Sequence, residues 1–119
     1  MTAQQVVIDR EDVQAQPWTP LGTDTGVRQK VLWRDEGGRS YAGLLRMDPG
    51  AHVREHTHHG AVHHAWVVNG VCGMGGEALG PGSYCFVPAG TEHELLEVGL
   101  EGCTIFYLYL TEDVEPLGS

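Results

Sequence analysis

Apolar residues recur along this chain in short runs, and the runs are broken by Gly, Pro, Asn and Asp. No stretch carries the i, i+3, i+4, i+7 repeat of an amphipathic helix, so the pattern predicts strands. They fall at Val27–Trp33, Arg39–Met47, Ala51–His58, His63–Val68, Val71–Met74, Ser83–Val87, His93–Val98 and Cys103–Leu110. Turn chemistry separates them. Asp35-Glu36-Gly37-Gly38, Asp48-Pro49-Gly50, Gly80-Pro81-Gly82 and Pro88-Ala89-Gly90 join a residue with preset φ, or one that bonds its own backbone, to a glycine free to take positive φ. Asn69-Gly70 is a two-residue hairpin signal. Eight to ten short strands without a helix predict an all-β fold, an antiparallel sandwich or barrel. Cys103–Leu110 is apolar on both faces, which predicts a central strand under a second layer or a contact with a second copy.

At 119 residues the chain is one domain by length. Residues 1–17 read as an arm whose β-prone patch, Val6-Val7-Ile8, pairs with a sheet edge of its own chain or of a partner. Residues 18–110 hold the barrel. Residues 111–119 form a loose acidic tail. A chain this long buries roughly two thirds of its unfolded surface, so it needs no metal or disulfide to have a core.

The charge changes the picture of partners. Seven Lys and Arg stand against 16 Asp and Glu, a formal net charge of −9. That argues against nucleic acid and anionic membrane surfaces. No apolar run approaches the ~18 residues of a membrane span. The N-terminus lacks the basic and apolar regions of a signal peptide, so the expected compartment is the cytoplasm. Cys72, Cys85 and Cys103 form no CxxC pair and read as reduced, buried thiols.

The chemistry concentrates in Pro49–Gly70, PGAHVREHTHHGAVHHAWVVNG. All seven histidines lie between His52 and His93, six of them within His52–His64. Neutral imidazole is the commonest protein ligand for transition metals. His56 and His58 are one residue apart, so on a strand both point to one face. His63 opens the next strand, and His93 follows Pro88-Ala89-Gly90. These four can converge on one ion, and each also has a plainer reading as a packed core histidine. His64 has the opposite parity and reads as a polar or interface residue. His52 lies about 13 Å from His56 along an extended strand and reads as a rim residue. His59 reads as solvated loop.

These residues resemble the cupins, small β-barrels whose first motif is G-x5-H-x-H-x3/4-E-x6-G and whose second is G-x5-P-x-G-x2-H-x3-N. Gly50, five residues, His56-Thr57-His58, four residues, His63, six residues and Gly70 reproduce the first, with His63 where the family has Glu. Gly82, five residues, Pro88-Ala89-Gly90, two residues and His93 reproduce the second, with Glu97 where the family often has Asn. Within the cupins the chain is similar to the ChrR-like group. The shared residues run from Trp18 and Pro20 through Arg34-Asp35-Glu36, Gly38-Arg39, Leu45-Arg46 and Pro49-Gly50-Ala51 to Gly102-Cys103-Thr104-Ile105-Phe106. That group includes the C-terminal domain of anti-sigma factors and stand-alone enzymes that cleave diketones or acetophenones with O2. The helical, sigma-binding domain of the anti-sigma factors has no counterpart in the 17 residues ahead of the match.

The resemblance implies a single-domain jelly roll and metal ligands at His56, His58, His63 and His93. It also implies a homodimer. Four neutral imidazoles suit Fe, Mn, Ni, Cu or Zn and leave a divalent ion near +2, which favours an anionic ligand such as an enolate or phenolate. The implied function is a metal-dependent dioxygenase acting on a small enolisable diketone or phenolic compound. Two alternatives remain: a redox-neutral Lewis-acid cupin (polyketide cyclase or isomerase), and a non-catalytic module that binds a metal or small molecule. Leu45, Met47, Met74, Trp66, Tyr84, Phe86, Phe106 and Leu108 are candidate lining for a small apolar pocket, and each is also ordinary core.

Overall fold

The structure, a computed structural model, describes residues 5–21, 26–51, 53–57, 61–74, 77–90, 92–96 and 98–111, with the side chains of 53–57, 74 and 92–96 outside that set. The expected tail after Thr111 lies outside the described residues.

The chain opens with an element that periodicity did not announce. Helix α1 spans Arg10–Ala15 and buries none of its residues, so it leaves no apolar stripe in the sequence. Polar contacts hold it instead. Asp9 caps its N-terminus, accepting from the Asp12 amide at 2.8 Å. At the other end Lys30 donates to the carbonyls of Val13 (2.8 Å) and Gln14 (3.3 Å), a cation set against helix C-terminal carbonyls. The same ammonium lies 4.6 Å from the Trp18 ring centre. Within this chain the expected edge pairing of Val6–Ile8 does not form. These residues are not in a strand, and Val6 and Ile8 lie beside Leu32 and Trp33.

Among the described residues ten strands follow: β1 (Thr19–Pro20), β2 (Val27–Arg34), β3 (Tyr41–Met47), β4 (Val53–Thr57), β5 (Ala61–Gly70), β6 (Cys72–Met74), β7 (Glu77–Leu79), β8 (Tyr84–Val87), β9 (Glu92–Leu96) and β10 (Cys103–Thr111). They form two antiparallel sheets, six strands in the order β1-β2-β3-β10-β5-β8 and four in the order β4-β9-β6-β7. From β3 onward the chain passes repeatedly between the sheets, so local hairpins are rare and neighbours come from distant sequence. This is an all-β jelly roll, as the turn spacing predicts. β10 lies between β3 and β5, the central position its two apolar faces predict.

The turns use the glycines as expected at Asp48–Ala51. Pro49 presets φ, Gly50 takes φ +79°, and the Ala51 amide bonds the Asp48 carbonyl at 3.0 Å. Asn69-Gly70 differs from expectation, because it is a corner and not a hairpin. β5 ends there in the six-stranded sheet, and β6 begins two residues later in the other. Gly70 has φ +79°, and a Cβ on it would overlap the Gly102 carbonyl oxygen. The glycine answers to the close approach of β10 as well as to its own dihedral.

The core lies between the sheets. Val27, Met47, Cys72, Cys103 and Ile105 are almost wholly sequestered there, joined by Leu45, Ala65, Val67 and Tyr107. On β5 the inward positions are His63, Ala65 and Val67, and the alternate positions face outward.

Candidate metal centre

His63 is the one sequence-predicted ligand whose side chain is described. It sits on β5, directly opposite Tyr109 of β10 and Val87 of β8. It is 4% exposed, and its Nε2 is closed off from solvent. Its ring stacks on Tyr109, centroids 4.4 Å apart and planes 18° from parallel. A polar ring at a core position is costly to bury unless something engages it.

In the other sheet, backbone register places His56 of β4 directly opposite His93 of β9. Directly opposed positions of an antiparallel pair share one face. The two motifs, 37 positions apart in sequence, therefore meet at their histidines. The side chains of His56 and His93, and His58, His52 and His59 entirely, lie outside the described residues. Among the described residues no three His, Cys, Asp or Glu side chains gather around a common point, so the three thiols do not form a ligand set of their own. Cys72 and Cys103 are buried. Their mutual hydrogen bond lowers the Cys72 thiol against the effect of burial and raises that of Cys103, which burial raises further.

His64 takes the outer face, as its parity requires. Its Nδ1 lies 2.6 Å from the Tyr84 hydroxyl.

Three tyrosines that no sequence motif marks cluster next to the His63–Tyr109 stack. Tyr41 of β3 and Tyr107 and Tyr109 of β10 form one cluster, with ring centres 5.0 to 5.8 Å apart. Tyr107 donates to Gln29 Oε1 at 3.1 Å. The Arg34 guanidinium lies 5.1 Å from the Tyr41 ring centre. Burial pushes the Tyr107 phenol up to about 12. It pushes Tyr109 higher, with the neighbouring phenols adding to the effect. Both phenols therefore keep their protons across the physiological range. The inward parity of Tyr107 and Tyr109 is that of Cys103 and Ile105 on the same strand, but their meeting with Tyr41 of β3 has no local sequence signal.

The expected pocket lining is corrected in part. Leu45 and Met47 are core. Trp66, Tyr84 and Phe86 are 37%, 47% and 47% exposed on the outside of the six-stranded sheet. The inward parity of β5 belongs to His63, Ala65 and Val67, and that of β8 to Cys85 and Val87. Phe106 and Leu108 share the outward parity of β10. The side chain of Met74 lies outside the described residues.

An antiparallel jelly roll with two glycine-bounded histidine motifs meeting between strands defines a cupin barrel. The sequence profile of the ChrR Cupin-like domain matches residues 4–111, and the chain belongs to that family. Three solved structures illustrate the likeness. The polyketide cyclase RemF from Streptomyces resistomycificus is 17% identical, with 92% of this chain and 83% of that one covered and a TM-score of 0.73. An acetylacetone dioxygenase from Acinetobacter johnsonii is also 17% identical, with 92% and 76% covered and a TM-score of 0.71. A chain in the complex of Rhodobacter sphaeroides SigE with the anti-sigma ChrR is 26% identical, with a TM-score of 0.67. There 80% of this chain is covered but only 50% of the other. No curated protein matches the chain. Among the described residues no helix is long and apolar enough to cross a membrane.

Proposed function

We propose that this cupin is a metal-dependent dioxygenase that holds one divalent transition metal ion through His56, His58, His63 and His93. It acts on a small enolisable diketone or phenolic compound, and works in the cytoplasm as a homodimer. The observation that carries the reading is His63, an imidazole at a core position with its Nε2 enclosed, on the sheet facing the one where His56 and His93 stand opposite each other. The donor set fits the group, since four neutral nitrogens suit iron, manganese, nickel, copper or zinc. When bound, such an ion supplies Lewis acidity toward an anionic oxygen and, for a redox-active metal, reactivity toward O2.

The residues beside His63 favour a planar, weakly polar substrate. Tyr109 covers one face of the imidazole and fixes the ring plane. Tyr41 and Tyr107 extend the aromatic wall, and their raised phenols stay uncharged beside it. An anionic substrate oxygen therefore meets no competing phenolate.

Elemental analysis of protein prepared without a histidine tag or chelator tests this. About one equivalent of iron, manganese, copper or nickel per chain is expected, lost in His63→Ala and His93→Ala, together with oxygen uptake on diketones or hydroxylated acetophenones. Stoichiometric zinc with turnover under strict anaerobiosis would replace the dioxygenase by a redox-neutral cyclase or isomerase. No metal after reconstitution would remove the site.

A further inference from the structure

The proposed ligand His63 stands at one end of a row that crosses the six-stranded sheet. Strand register sets it directly opposite Tyr109 of β10, Tyr109 opposite Tyr41 of β3, and Tyr41 opposite Arg34 of β2. Directly opposed residues share one face of a sheet, so the four side chains lie in line. Neighbours in the row are in contact. His63 stacks on Tyr109 at 4.4 Å, Tyr109 lies 5.0 Å from Tyr41, and the Arg34 guanidinium lies 5.1 Å from the Tyr41 ring centre. These are the spacings of packed aromatic and cation–π pairs. Among the described residues β1 pairs with β2 only at Arg28 and Gln29, so Arg34 stands at the open edge of the sheet. The row therefore leads from an imidazole whose Nε2 is closed off from solvent to a half-buried ring beneath an exposed cation.

Packing alone does not ask for phenols here. A buried ring without a hydroxyl fills the same space at no polar cost. The chain has four tyrosines and two phenylalanines. Tyr41, Tyr107 and Tyr109 cluster beside His63, while Phe86 is exposed and Phe106 has outward parity. A phenol adds two things to a phenyl ring: a hydrogen bond, and the ease with which it gives up an electron and a proton together. Tyr107 uses the first, donating to Gln29 Oε1 at 3.1 Å. An amide oxygen accepts a hydrogen bond but is too weak a base to take the proton, and Tyr107 is only 3% exposed. Tyr41 touches solvent, so a proton leaving it has water to go to.

We propose that Tyr109 and Tyr41 form an electron path between the metal centre and a reductant in solution, which gives the protein a peroxide-reducing activity separate from its action on an organic substrate. The proposal rests on the metal reading of His63. Peroxide that reaches the centre in the absence of substrate takes up two electrons and two protons and leaves as two waters. The electrons come one at a time from Tyr109, which Tyr41 refills. Each electron lost from Tyr41 is accompanied by its phenol proton, released to water, and leaves a neutral phenoxyl radical. A two-electron donor of the ascorbate class restores Tyr41 twice, returning an electron and a proton each time. The sum converts peroxide and reduced donor to two waters and oxidised donor. Without the row the same oxidising equivalents fall on the imidazoles that hold the ion.

Electron paramagnetic resonance on iron-loaded full chain, mixed with hydrogen peroxide and rapidly frozen, tests the path, with Tyr109→Phe, Tyr41→Phe and Tyr84→Phe beside wild type. Iron content and Tm are measured on every sample. Wild type and Tyr84→Phe, whose ring lies on the outer face, are expected to give a tyrosyl radical that ascorbate removes. Tyr41→Phe should keep a radical on Tyr109 and slow its removal about tenfold. Tyr109→Phe should lose the signal and gain oxidised His63, read by peptide mass spectrometry as added oxygen. A purely structural role would lower Tm without moving the radical or the site of oxidation. Spin-trap mapping of wild type needs no mutation, and the adducts should fall on Tyr41 and Tyr109. Iron-loaded wild type without a radical, a radical that Tyr109→Phe leaves unchanged, or adducts on Tyr84 alone overturns the path and keeps the metal reading. A chain that binds no iron overturns both.

Discussion

Tyr107 is 3% exposed, and burial holds its phenol near 12 instead of the ordinary 10. That difference ties stability to alkaline pH with a definite sign. Below pH 10 both folded and unfolded chains keep the proton. Above it the unfolded chain ionises while the folded one does not, so the unfolded state gains free energy that the fold cannot match. Stability is therefore complete below pH 10 and falls as pH rises toward 12. Tyr107 contributes a loss of roughly 3 kcal/mol at most. Tyr109, raised further, extends the fall to higher pH. Tyr107→Phe gives up the hydrogen bond to Gln29, worth about 1 kcal/mol, but also removes one titrating group. Urea unfolding at pH 9 and pH 11.5 should show a smaller alkaline loss in the variant than in wild type. Equal losses would mean that Tyr107 ionises in the fold as readily as in the unfolded chain.

At the scale of elements, the corner between β5 and β6 separates two demands on glycine. Gly50 needs positive φ but has open space around its missing Cβ. Gly70 needs positive φ, and its Cβ would also meet Cys103 Cα at 2.8 Å and overlap the Gly102 carbonyl oxygen. Gly50→Ala should cost about 1 kcal/mol, and Gly70→Ala roughly 2–4 kcal/mol or the fold itself. Denaturant midpoints of the two variants check this, and equal costs would remove the role of close approach at the corner. The same corner shows what was legible in the chain. The eight anticipated strands and the Asp48–Ala51 turn were readable because alternation and turn chemistry are local. Asn69-Gly70 carried a correct local signal, positive φ, but its partner strand is 33 residues downstream, so the signal could not say hairpin or corner. Helix α1 was not legible because a six-residue helix held by a cap and Lys30 needs no apolar stripe. Large aromatics such as Trp66, Tyr84 and Phe86 read as interior from sequence, and only the register with β10 shows that His63 and Ala65 hold the inward parity. The histidines were visible as a spaced motif. The tyrosine cluster was not, because it joins β3 to β10 and exists only after folding.

For the whole molecule, the question is what ties the two sheets together. The three cysteines are free, so no covalent staple joins them. The interior does, through Val27, Met47 and Ile105 from one sheet and Cys72 from the other. The proposed ligands divide in the same way, His63 on the six-stranded sheet and His56 and His93 on the four-stranded one. An ion shared by them would bind only the folded chain and stabilise it by mass action. At free metal one hundred times the dissociation constant this contributes about 2.7 kcal/mol, or about 10 °C in Tm for a chain this size. Stripped protein should still unfold cooperatively, because the core closes without the ion. Restoring metal should raise Tm by about 10 °C in wild type and leave His93→Ala unchanged, measured calorimetrically at matched protein concentration so that association does not enter. A wild-type Tm indifferent to metal would mean that no ion bridges the sheets, and the histidines of the two motifs would then be neighbours without a common ligand. Loss of the transition on stripping would mean that the interior cannot hold the sheets alone, and the centre would be structural before it is anything else.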